Sequence, residues 1–146
     1  MRTSRSHRRG RNDRRGLAVV ETAFAVPLVL FLTFATLDIC DGIFLRQKAE
    51  LAAYEGAREA ILVNSTTASV EQAVQDYLDV RGLNYTDISS VVQLSSDPDA
   101  IDFLEPLTVE VLIDLESNRR LPLSLFQFVN GPFIVAEVTM YKENNE

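Results

Sequence analysis

The 146 residues hold one imidazole, His7, and one thiol, Cys40. His7 stands in an arginine-rich N-terminal stretch, so no Ser-His-Asp or Cys-His nucleophile can be assembled elsewhere in the chain. A lone Cys closes no internal disulfide, and zinc sites ask for several N or S ligands; Cys40 reads as a small apolar residue. The carboxylates remain. Asp97, Asp99, Asp102 and Glu105 crowd around Pro98 and have the charge to attract Ca²⁺, but they lack the glycine and oxygen spacing of an EF-hand loop, so a solvated loop is expected. Paired acids can also cleave glycosides, yet a head of about a hundred residues without Trp makes a poor sugar cleft. The expectation is a non-enzyme with no metal, no cofactor and no small-molecule substrate. One carboxylate is left over: Glu21, inside an apolar run.

That run divides the charge. Residues 1–16 carry seven Arg against one Asp, and the rest carries seven Lys and Arg against twenty Asp and Glu, which together give the net −7. An acidic body of this kind repels nucleic acid and anionic lipid through its net field. Between the two lies LAVVETAFAVPLVLFLTFATL, residues 17–37, which as a helix covers about 31 Å, the thickness of a bilayer's hydrocarbon core. A cleaved secretory signal usually has an apolar core of about 7–15 residues, shorter than this one. The reading is a basic cytoplasmic leader (1–16), a single transmembrane helix (17–37) in the cytoplasmic membrane, and an extracytoplasmic domain (38–146), since the basic flank stays inside.

The fold expected is α+β. The first helix continues past the span to about residue 62, with Ile43, Leu51, Tyr54, Ala57 and Ile61 on its apolar face. Residues 63–68 are a polar break containing an Asn64-Ser-Thr66 sequon. A second helix follows over about 70–81, opened by a Ser69/Gln72 capping box and closed by Gly82. The period then changes to two, predicting strands at about 88–94, 107–116 and 133–141 in an antiparallel meander covered by the helices. Leu107, Val109, Val111, Ile113 and Leu115 form the buried face of the middle strand. Arg119-Arg120 read as an exposed turn.

Glu21 sits five positions past Gly16, roughly 6–7 Å into the span, where a carboxylate is costly and a hydrophobe is not. One reading is an interfacial acid reaching back to the headgroups and the neighbouring Arg residues. The other is an acid whose partner forms only on processing: a cut after Gly16 frees the α-amino group of Leu17, which Glu21 of a neighbouring subunit can pair with. Pro27 removes a backbone donor and leaves the carbonyl of Ala23 without its usual partner. It reads either as a simple kink or as a weak turn that lets the helix repack on leaving the bilayer.

Gly16, four small or apolar residues and Glu21, opening an apolar helix behind a basic leader, resemble the signal cut by prepilin peptidases. The wider stretch, with Pro27 in the span and Ala53-Tyr54-Glu55-Gly56-Ala57-Arg58 after it, resembles the TadE-like family of minor pseudopilins of the tight-adherence (Flp pilus) system. The closing AEVTMYKE, residues 136–143, is similar to that family's last strand. Thr22 stands where Flp-type pilins usually carry an aromatic residue. The resemblance implies a structural subunit for pilus assembly or its secretion machine, cut after Gly16. Prepilin peptidase, other pilins and pilus assembly proteins, and membrane lipid would be its partners. Leu17 would be the mature first residue, with Glu21 and Pro27 serving assembly. The alternative of another class is a single-pass anchored binding or sensor module whose N-terminus is never cut.

Overall fold

The computed structural model describes residues 10–102, 104–120 and 125–142, with side chains from Gly16 onward. The chain divides into two compact units, Met1–Leu37 and Asp38–Glu146, and helix α1 (Gly10–Ala60) contributes to both. His7 lies outside the described residues.

Among its described residues the first unit is helix alone. Nearly all of its described apolar side chains are exposed, and α1 is the one described helix long and apolar enough to cross a membrane. Three threonines interrupt the hydrocarbon. Each hydroxyl donates to the carbonyl four residues back: Thr22 to Ala18, Thr33 to Val29 and Thr36 to Leu32, at 2.9, 2.8 and 2.8 Å. Their hydrogen-bonding capacity is thus largely spent inside the helix, as a lipid environment demands. The helix runs through Pro27 without a break.

The second unit is α+β, as expected. Strands β1 (Val92–Leu94), β2 (Pro106–Asp114) and β3 (Phe133–Tyr141) form an antiparallel sheet in the order β1-β2-β3. Val109 stands opposite Leu94 on one side and Val138 on the other. The alternation places Leu107, Val109, Val111 and Ile113 in the core, with Ile134 and Ala136 of β3 beside them. Helix α2 (Thr67–Val80) adds Val70, Val74 and Leu78.

The packed face of α1 meets the predicted one only in part: Ala57 is buried and Ile61 half-buried. Ile43, Leu51 and Tyr54 are about half exposed, while Leu45, Ala49, Ala52, Ala53, Gly56, Ala57 and Ala60 are buried. The sheet and α2 already supply the bulk through Val, Leu and Ile, so the helix laid over them must present small residues. A Cβ on Gly56 would stand 2.7 Å from Val74 Cγ2 and 3.2 Å from Val109 Cγ1. The Gly-Ala segment is therefore where α1 touches α2 and β2 together.

Other boundaries shift for local reasons. Helix α2 starts earlier than expected: Thr66 is the N-cap, accepting from Ser69 N–H at 3.2 Å, and Ser69 Oγ accepts from Thr66 N–H at 3.0 Å. Ser69 is thus the last residue of the capping box, the third of the helix, rather than the first of the box. Gly82 closes the helix with φ +64, and Leu83 N–H donates to Leu78 O at 3.0 Å. Residues 88–91, expected as strand, form a helical turn, α3 (Ile88–Val91), because Asp87 caps it by accepting from Ser89 N–H. Asp114 likewise ends β2 by capping α4 (Leu115–Asn118), so Leu115 is buried at a helix start rather than in the strand. Burial pushes the Asp114 carboxyl up, but the bonds from Ser117 and Glu116 outweigh it and hold the group below its ordinary value. A further short helix, α5 (Leu125–Asn130), occupies the apolar part of the last connection.

Gly56→Ala tests the close approach. On an open helix surface the change would stabilise by about 1 kcal/mol. Here overpacking against Val74 should instead destabilise by about 1–3 kcal/mol. Chemical denaturation of the detergent-solubilised chain measures it, and Val74→Ala in the same chain should recover part of the loss.

Candidate assembly and anchoring site

The residues singled out by the sequence lie along the first unit. Gly16, Leu17 and Glu21 are all helical and exposed. Leu17 and Glu21, four residues apart, share one face of α1. Glu21 forms no ion pair among the described residues. Pro27 lines a shallow apolar depression with Ala18, Val19, Thr22, Ala23 and Val26. A Cβ at Gly16 would meet nothing within 4 Å, so no packing explains glycine there.

The second unit holds a cluster that sequence reasoning missed. Asp38, 5 % exposed, accepts the backbone N–H of Phe126 at 3.1 Å through Oδ2. That amide belongs to the first turn of α5, whose N–H groups have no partner within their own helix. Asp38 thus caps α5 from another element, with its charge at the favourable end of the helix. One turn along α1, Asp41 Oδ2 accepts the backbone N–H of Arg120 at 3.0 Å. The residue after Asp41, Gly42, lies under the Phe126 ring, and any Cβ there would overlap it. Two carboxylates and a glycine notch therefore fix the connection between β2 and β3 to α1. The signal in the sequence is Asp-x-x-Asp-Gly directly after the apolar run, which read locally is only acidic charge flanking a span.

The remaining candidates resolve structurally. The Pro98 and Ile101 carbonyls of the acidic loop face Lys142, whose Nζ donates to them at 2.9 and 3.2 Å. An ammonium thus organises the acidic loop, and no three acidic, His or Cys side chains converge among the described residues. Cys40 is exposed. In the Gly-Ala-Arg segment Gly56 and Ala57 are buried, while Arg58 points outward to Glu55 at 3.6 Å. That motif is a packing surface rather than a binding one. Helix α1 thus defines a class of protein: a single apolar helix that continues as the spine of a small α+β head.

Within that class, residues 16–58 match the TadE-like protein family model, the family to which the sequence bears a resemblance. The match opens on Gly16 and closes on Arg58, so it covers the apolar run and the small-residue face, with α2 and the sheet beyond it. No curated protein and no solved structure matches the chain.

Asp38→Ala should loosen α5. The Phe126 amide loses its acceptor, a penalty of about 1–3 kcal/mol when the group stays buried. Amide exchange of peptides covering α5 should then speed up while those covering α2 stay unchanged. Equal exchange of α5 in the unaltered chain and in Asp38→Ala would show that the Gly42 notch alone holds the helix.

Proposed function

We propose that this chain is a TadE-like minor pseudopilin, a structural, non-enzymatic subunit used in assembling a tight-adherence pilus or its secretion machine. The observation that carries the reading is the family match over residues 16–58, which begins at the glycine of the processing signal. The apolar, exposed first part of α1 supports a single-pass membrane anchor. The basic flank argues for a cytoplasmic N-terminus in the inner membrane, with the head on the far side.

In this reading a prepilin peptidase cuts between Gly16 and Leu17. The scissile bond lies inside α1, and a protease needs it extended, so this turn must open. Glycine lowers that cost by about 1 kcal/mol relative to Ala. The new amine of Leu17 then stands one turn from Glu21, on the same face. Helices of neighbouring subunits, packed through their exposed apolar sides, bring Glu21 of one against the amine of the next. Other pilins and assembly proteins are the partners, and the half-exposed Ile43, Leu51 and Tyr54 extend the contact surface beyond the span.

N-terminal sequencing of the membrane-extracted protein, made with and without a prepilin peptidase, tests processing. A start at Leu17 only when the peptidase is present is the expected result, and Gly16→Leu should abolish it. An intact Met1 in both preparations would favour the anchored, uncut binding module instead. Glu21→Leu should insert in the membrane normally yet fail to co-purify with pilus components; unchanged assembly would remove the role given to the carboxylate.

A further inference from the structure

We infer that α5 is an interfacial anchor, a short apolar helix seated in the lipid headgroup region of the membrane that α1 crosses. The inference rests on the reading of residues 17–37 as a membrane span. Helix α5 reads LFQFVN, without a charge. Phe126 is turned onto Gly42, but Phe128 and Val129 face solvent at 90 % and 79 % exposure. For side chains of this size such exposure in water forfeits about 1.5–3 kcal/mol each relative to burial.

The place of α5 in its own unit names the occupant. Its first turn is bonded to Asp38, the residue that follows the last of the span, and Phe126 covers Gly42. Six helical residues extend only about 9 Å, so Phe128 and Val129 stay close to that tether. Farther along α1, Asp41 holds the backbone of Arg120, with Arg119 beside it. Arg119 Nη1 also reaches Gln127 Oε1 of α5 at 3.4 Å, so a guanidinium lies against the apolar helix, with Arg120 the next residue in the chain. Aromatic and cationic side chains together are what a bilayer boundary collects, aromatic rings at the interface and cations at the phosphates. The Arg pair stands out in a head that holds seven Lys and Arg against nineteen Asp and Glu. A protein partner would need no such pairing of an uncharged apolar helix with cations directly after a span.

The chain contains no Trp, so a single introduced Trp reports its own surroundings. Three variants of the full chain would be reconstituted in phosphatidylcholine–phosphatidylglycerol vesicles, with and without lipid brominated near the headgroup end of its acyl chains. These are Phe128→Trp, Val80→Trp on the exposed end of α2, and Phe24→Trp inside the apolar run. The expected result is a blue-shifted Phe128→Trp emission that bromolipid quenches, together with quenching of Phe24→Trp and none of Val80→Trp. Quenching at position 24 but not at 128 would overturn the anchor while leaving the span intact. A blue shift at 128 without quenching would mean that protein covers α5, and would overturn it equally. No quenching at 24 would sink the span reading itself. Val129→Trp repeats the measurement on the neighbouring side chain.

Discussion

The head depends on how closely α1 can approach the layer beneath it. Gly56 brings the helix backbone against Val74 of α2 and Val109 of β2 at once, so three elements share one contact point. Alanines at 49, 52, 53, 57 and 60 extend that contact along the helix. Small residues bring little hydrophobic area of their own. They work by letting the large side chains of the sheet and α2 reach the helix backbone without voids. An added methyl group there presses on α2 and β2 at once.

The same constraint explains what the sequence disclosed and what it hid. Strand β2 was readable because it alternates between a buried face and a half-exposed one, and Gly82 because only a left-handed residue ends α2 in that way. The packed face of α1 was misjudged in part because periodicity weighs Ile, Leu and Tyr above Ala, whereas a close-packed interface selects for lack of volume. Residues 88–91 look like strand by composition, and only the Asp87 cap turns them into helix. The contacts of Asp38 and Asp41 span 88 and 79 residues of sequence. No local pattern reports such pairs.

Those two acids also change how the region after the span is understood. As flanking charge they would only help to orient the helix. Bonded to backbone N–H groups, they attach the β2–β3 connection to the spine and set where α5 lies on it. Gly42 belongs to the same arrangement, since Phe126 fills the place of its missing side chain. The start of the head is thus a built junction, with specific partners for each of its polar residues.

The span shows the opposite economy, and that bears on Glu21. Thr22, Thr33 and Thr36 each turn their hydroxyl back onto the helix, so little of their polarity is left for a partner. Glu21 has no such outlet, because a carboxylate is an acceptor and the helix carbonyls four residues back are acceptors too. The charge that relieves it must come from headgroups, from the leader or from another chain. A helix that only anchored would gain stability by losing this acid, as each Thr shows by internalising its own polar group. Retaining a carboxylate one turn from Leu17 makes sense when a cationic amine arrives there, which is what cleavage after Gly16 would create.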